Sequence, residues 1–376
     1  MSRPTGIGHK LPHNPALLCE RSPQCYPEPV LAELTSNRVI DAAYAWLIRQ
    51  RRDWPANTDI WHLRFAWGAE KHRLQAALRC GDYRFAPMDR VTKADGAIVH
   101  VWCARDALVL KALSMVLAKR LPVSSRCTHV KGHGGAKAAV RAVQAHLEGN
   151  AFVMRTDVKG FYDSIDQHRM LEMISRHIKD RVVLNYLWQA MRRSVTWGGL
   201  YKDCERGISR GCPLSPLLGA FFLYQLDRTM ERSGLFYVRF MDDILVLAPT
   251  PWKLRRAVKQ VNDGLATLDL EKHPDKTFIG RIEKGFDFLG YRFSRDGLKV
   301  AEKTLANFAE RLTRLYEQTR NAQDRALRVG IYVRRWLGAV RGGVTAVPPR
   351  NDRRMTSKLL QPRARGSDRT VAPAPA

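Results

Sequence analysis

Two adjacent carboxylates, Asp242 and Asp243, interrupt an apolar run that extends from Tyr237 to Leu247. Hydrophobic residues on both sides describe two short buried strands meeting at a tight hairpin. Burying a carboxylate is costly unless something compensates it, and two neighbours also repel each other. A divalent cation is the usual remedy, and Mg²⁺ prefers oxygen ligands together with substrate phosphates. Aspartate is also a common turn residue, so an isolated pair would read as a plain turn. Other segments of the chain weigh against that reading.

The balance of charge narrows the partner. Lys and Arg total 63 against 36 Asp and Glu, a formal charge of +27 over 376 residues. An excess of that size points to a polyanion, most simply nucleic acid. An anionic membrane is the competing partner, but the longest apolar run, Leu214 to Leu226, is too short to span one. The expectation is no membrane partner. Met1, Ser2, Arg3 and Pro4 open no signal-peptide pattern, which gives a cytoplasmic expectation. The seven cysteines are scattered and lack CxxC spacing, as in a protein with reduced thiols. Cys127, His129 and His133 come nearest to a zinc site, lack a fourth ligand in sequence and read as a loop.

Hydrophobic content of 45% is enough for two or three folded lobes. An irregular arm occupies 1–30. Apolar spacing predicts helices over 31–52, 63–78 and 104–121, with a hairpin in 83–102 around Gly96. The basic, Gly-rich segment Lys131 to Lys137 precedes another helix and lacks P-loop spacing. Beyond it, a strand over 151–158, a helix capped by Asp166, a helix over 216–232, the Asp242 hairpin, a helix over 252–268 and strands at 278–282 and 286–293 alternate. That order argues an α+β fold. A helix carrying Leu305, Phe308, Leu312 and Leu315 has Lys303, Arg311 and Arg314 among its other positions. From Arg341 the chain is polar, basic and Pro-rich, and a disordered tail is expected over 346–376.

Asp157 ends the apolar 151–158 strand and is a natural partner for the Asp242 hairpin. Carboxylates from neighbouring strand ends form the cage that two-metal phosphoryl transfer requires. One ion would activate an attacking hydroxyl and the other would stabilise leaving pyrophosphate.

The Asp157 segment, then Gly207 to Pro216, then Phe240 to Asp243, then Leu268 to Thr277, then Phe286 to Tyr291 resemble, in order, the motifs of reverse transcriptases. The likeness is to bacterial enzymes of the group II intron and retron type, and covers roughly 63–291. It implies a right-hand polymerase: fingers within 31–150, a palm within 151–295 and a short helical thumb over 296–345. It further implies an RNA template, a DNA or RNA primer and dNTPs as partners. Two Mg²⁺ ions, with Mn²⁺ as an alternative, would be held by Asp157, Asp242, Asp243 and the Val158 backbone. Lys276 falls where a lysine protonates pyrophosphate, and Tyr162 where an aromatic ring guards against a ribose 2′-hydroxyl. Lys93 would hold the triphosphate as a point charge. Gly211 would let the backbone approach nucleotide and template.

Three departures stand out. Phe240 replaces the usual tyrosine of the hairpin motif and keeps only the ring. Arg210 replaces a glutamine and cannot accept a hydrogen bond. Val99 and His100 stand where relatives carry an arginine. These leave open a retron-like or defence enzyme with special priming or untemplated synthesis, served by a structured non-coding RNA or accessory protein. An intron maturase and a polymerase fold used only to bind RNA are the remaining alternatives.

Overall fold

The computed structural model describes residues 29–341, apart from 94, 95 and 320. The N-terminal arm and the 346–376 tail therefore lie outside the described residues. The rest forms two compact units. One takes the residues up to Arg120 together with Leu171–Cys204, and the other takes Leu121–Met170 and the residues from Glu205 onward.

The first unit is mainly helical. The helix expected over 31–52 is two, Pro29–Leu34 and Asn37–Gln50. Ser36 makes the break: its hydroxyl accepts the Val39 N–H at 3.3 Å, restarting the helix with an N-cap. The next is also two, Asp59–Phe65 and Trp67–Arg79, divided at Ala66. Leu34, Ile40 and Leu47 are buried, as are Leu108, Leu113 and Leu117 of the helix Ala104–Leu117. Each such side chain contributes about 1.5–3 kcal/mol of burial. The expected hairpin is present as Met88–Thr92 paired with Ile98–Val101. A second hairpin, Ser194–Trp197 with Leu200–Asp203, joins it through a parallel pairing to Met88–Thr92. Its turn is Gly198 and Gly199, with φ of 56° and 80°. Such a turn suits glycine, and the Gly-Gly pair was a readable hairpin signal.

The second unit carries the carboxylates. Its main sheet runs Phe236–Phe240, Asp243–Ala248, Phe152–Thr156, Phe278–Arg281, all neighbours antiparallel. Both faces are covered, which explains the unbroken apolar run after Asp243. On one face Val153, Leu245 and Leu247 pack with Val140, Val143 and Phe288. Met154, Ile244 and Val246, on the alternate positions, are equally buried. The helix expected over 216–232 is divided into Ser215–Phe222 and Tyr224–Arg232. Tyr224–Arg232 packs on Pro251–Ala266, where a Cβ at Gly264 would stand 2.7 Å from Leu226 Cδ1. The strand expected over 286–293 turns back on itself. Phe286–Phe288 and Tyr291–Ser294 pair across Leu289 and Gly290, at φ 48° and 86°, and Gly297–Val300 completes a separate three-stranded sheet. The helices Glu302–Gln318 and Ala322–Arg341 meet through Phe308, whose ring stacks 4.2 Å from that of Trp336. Among the described residues no helix is long and apolar enough to cross a membrane.

Candidate active site

The register of the main sheet sets the site. Thr156 pairs with Ile244, so the next step of the same ladder brings Asp157 level with Asp243. Phe240 pairs with Asp243, leaving Met241 and Asp242 as the two-residue turn. Met241 has φ 57°. Two-residue hairpins commonly place glycine at such a position, and a methionine there costs roughly 1–2 kcal/mol.

Both polar groups of that strained residue are held. Its N–H donates to His129 Nδ1 at 2.9 Å, and its carbonyl accepts from Arg239 Nη1 at 2.8 Å. Arg239 is fully buried and forms an ion pair with Asp227, which is also fully buried, through Nε at 2.7 Å and Nη2 at 2.5 Å. Tyr237 donates its hydroxyl to the same carboxylate at 2.6 Å. Asp227 and Tyr237 thereby satisfy a charge that could not otherwise be buried.

A cleft of about 530 Å³ opens beside the turn, lined by Asp157, Val158, Tyr162, Arg210, Gly211, Asp242 and Lys276 among others. Asp157 is buried, and its Oδ2 accepts from Lys276 Nζ at 2.6 Å. That hydrogen bond raises the pKa of the lysine, although the lysine is largely exposed. The ladder bonds around Val158 use the Asp157 carbonyl and the Lys159 N–H, so they leave the Val158 carbonyl unused. Burial, and then the Asp157 and Asp243 charges, push the Asp242 carboxyl up to about 6. Asp243 is raised by burial and by Asp157, with Arg155 and Lys276 opposing.

Seven of the residues singled out from the sequence thus line one cleft: Asp157, Val158, Tyr162, Arg210, Gly211, Asp242 and Lys276. Asp243 and Phe240 stand beside it and are not among its lining residues. Asp243 begins its strand on the face that also carries Leu245 and Leu247. Phe240 turns its ring toward His129, centroids 5.9 Å apart. Lys93 belongs to the other unit, where it is exposed and closes the Met88–Val101 hairpin through its backbone. Arg210 lines the cleft while forming an ion pair with Asp163. Gly211, at φ 75°, has nothing within 4 Å of where a Cβ would stand. Gly207 is the opposite case: a Cβ there would lie 2.7 Å from the Tyr162 carbonyl oxygen and the Asp163 Cα. Tyr162 is pushed up to about 12 by burial, then by Asp242.

Among the described residues no three His, Cys, Asp or Glu side chains stand together as a metal-holding group. Asp157 and Asp242 both line the cleft, as does Val158, so the acceptors available there are oxygens, and Asp242 is raised by burial and by the neighbouring Asp157 and Asp243 charges. That chemistry fits a hard divalent cation. Cys127, His129 and His133 hydrogen-bond to one another and to backbone, in keeping with the loop expected there.

The displaced Asp242 has a consequence for stability. Its carboxyl binds a proton more tightly folded than unfolded, so the folded state holds more protons between the ordinary carboxylate range and about 6. Without a divalent ion, stability should therefore fall as pH rises through that window. Asp242→Asn removes the charge at nearly constant shape. It is expected to stabilise the protein in EDTA at pH 7 by about 1–2 kcal/mol, after allowing for water in the cleft. The gain should disappear below about pH 4. Urea denaturation at both pH values checks this, and an equal gain at both would show that ionisation of Asp242 is not its source.

The family model described as reverse transcriptase (RNA-dependent DNA polymerase) matches residues 106–293, half of the chain. The chain is 22% identical over 305 residues to protein YkfC of Escherichia coli, covering 66% of this chain and 79% of that protein. It is 22% identical over 169 residues to the group II intron-encoded protein LtrA of Lactococcus lactis, covering 44% of this chain and 28% of that one. An uncharacterized 91 kDa protein in the cob intron of Schizosaccharomyces pombe is 27% identical over 161 residues, 41% of this chain and 20% of that protein. The chain thus spans less than a third of the last two. The matched region contains the Asp157 strand, the Gly207–Pro216 loop and the Asp242 hairpin together, and on that match the chain belongs to the reverse transcriptase family.

Proposed function

We propose that the cleft catalyses RNA-templated DNA synthesis, in which a primer 3′-hydroxyl attacks the α-phosphate of a dNTP and releases pyrophosphate. The observation that carries this reading is the convergence of Asp157 and Asp242 from neighbouring strand ends, with Lys276 2.6 Å from Asp157. Asp157, Asp242 and the Val158 carbonyl would hold Mg²⁺, or Mn²⁺ in its place, while Asp243 adds negative charge from the adjoining strand. When bound, such ions activate the attacking hydroxyl and compensate charge on the leaving pyrophosphate.

The remaining roles belong to the chain itself. Lys276 is placed to carry a proton to pyrophosphate. Tyr162 presents its ring where a ribose 2′-substituent would lie. The open backbone at Gly211 admits nucleotide and template, with Arg210 free to exchange Asp163 for a phosphate. Phe240 packs behind the turn, and Lys93, on the other unit, is an exposed point charge suited to a phosphate. In this reading the 31–150 segment supplies the fingers, 151–295 the palm and the helices Glu302–Gln318 and Ala322–Arg341 the thumb. A charge of +27 suits a protein that grips a duplex by its phosphates.

Primer extension tests the proposal. With poly(rA)–oligo(dT), labelled dTTP and Mg²⁺, the purified chain should lengthen the primer. Failure on RNA and DNA templates alike, with Mg²⁺ and with Mn²⁺, would leave a binding role in its place.

A further inference from the structure

The turn that carries Asp242 is held from outside its own hairpin. Residues 126–128 run alongside Phe236–Phe240 in a short parallel contact, through Arg239 N–H to the Arg126 carbonyl at 3.0 Å and Thr128 N–H to the Arg239 carbonyl at 2.9 Å. This places His129 at the end of the strand, beside the turn. Its Nδ1 accepts the Met241 N–H at 2.9 Å, and its Nε2 lies 3.0 Å from the Pro216 carbonyl. A backbone N–H can only donate and a carbonyl can only accept. The ring is therefore the neutral tautomer with the proton on Nε2. Burial, the largest influence on it, pushes the imidazole down to about 4, which agrees with a neutral ring at neutral pH.

The two partners belong to different elements, and both line the cleft: Met241 adjoins Asp242 in the hairpin turn, and Pro216 sits in the first turn of Ser215–Phe222. The loop before that helix contributes Arg210 and Gly211, and Ser215 fixes the loop by donating to the Ser209 carbonyl at 2.6 Å. One imidazole thus spans from the carboxylate turn to the nucleotide-facing loop. The ring also meets the Cys127 sulfur, 3.3 Å from Nδ1, and the ring of Phe240.

We propose that His129 is a positioning residue for catalysis, a neutral imidazole whose Nδ1 anchors the Met241 amide and so orients the adjoining Asp242 carboxylate, while its Nε2 link to the Pro216 carbonyl holds the ring in that tautomer and place. The proposal rests on the polymerase reading for its kinetic consequence and on hydrogen-bond geometry alone for the bridge.

Three variants and one spectrum test it. His129→Phe keeps a ring against Phe240 and loses both hydrogen bonds. His129→Asn places an amide oxygen near the Nδ1 position and keeps the acceptor for Met241. His129→Gln places its amide near Nε2 and keeps only the link to Pro216. Small misplacements of reacting groups cost up to about a hundredfold in rate. We therefore expect kcat for primer extension to fall ~10- to 100-fold in His129→Phe and in His129→Gln. The KM for dNTP and the affinity for primer–template should change by no more than ~3-fold, and His129→Asn should recover most of the kcat. A merely structural role would move stability and binding without this split or this rescue.

Long-range ¹H–¹⁵N spectra of histidine-labelled wild type supply a readout independent of activity. One imidazole should show a bare Nδ1 and a protonated Nε2, unchanged from about pH 6 to 8. Wild-type kcat in His129→Phe, equal loss in the phenylalanine and asparagine variants, or an Nδ1-protonated ring would each overturn the proposal. If His129→Phe does not fold, the spectrum and the asparagine–glutamine pair decide. If wild type extends no primer, the polymerase reading fails while the spectrum still judges the bridge.

Discussion

Asp242→Ala is expected to abolish templated synthesis, lowering kcat on the order of a thousandfold or more, or about 4 kcal/mol of transition-state stabilisation. Asp242 lines the cleft from the tip of its hairpin, with Asp157 the other carboxylate lining it. Without it Asp157 is left as the carboxylate lining the cleft, and a buried charge that Asp157 and Asp243 repel is removed. Primer–template affinity should stay the same or tighten, since a negative charge has been removed near a polyanion. Extension rates and filter binding on the same preparations separate the two effects. A variant that still extends primers at near wild-type rate would remove Asp242 from the chemistry.

Asp227→Ala is expected to be the most damaging change to stability. It leaves Arg239, with no exposed surface, without its counter-charge. Breaking a buried pair from one side typically costs about 3–5 kcal/mol. Tyr237 loses its acceptor as well. The replacement of all three by apolar residues (Asp227→Leu, Tyr237→Phe and Arg239→Met) should recover much of the stability, because well-packed apolar groups can stand in for a buried ion pair. It should not recover synthesis, since the Met241 carbonyl would still lack the Arg239 guanidinium. Urea midpoints and extension rates measured on both variants test this separation. A stable but inactive triple variant is the expected result. Activity in that variant would show that Arg239 acts through stability alone.

Much of the site could be read from the chain because its signals are local. The Asp242 hairpin, the strand leading to Asp157 and the Asp166 cap, which accepts the Arg169 N–H at 2.7 Å, all sit within a few residues of the patterns that announce them. What escaped reading depends on distant partners. His129 meets Met241 across 112 positions, and nothing near His129 in sequence suggests it. Arg239 was more accessible, as a single cation amid Tyr237, Val238 and Phe240 demands a buried anion. The divided helices have mixed legibility. Ser36 was a visible N-cap, whereas Ala66 and Leu223 lie in apolar spacing that carries no stop signal. Gly290 marked the turn that splits the last apolar run, but Leu289 beside it adopts a left-handed conformation that leucine rarely takes.

The peptide groups flanking Met241 are fastened on both sides, by an imidazole at the amide and a guanidinium at the carbonyl. A hairpin tip is ordinarily the loosest part of a sheet. Here the disorder such a tip would have had is removed during folding, along with the strain of its backbone. Substrate then arrives at a carboxylate whose direction no longer has to be chosen, so binding energy need not be diverted to ordering it. The same fastening makes the site indifferent to local fluctuation and dependent on the whole unit remaining folded. Loss of activity and loss of the fold should therefore coincide on heating.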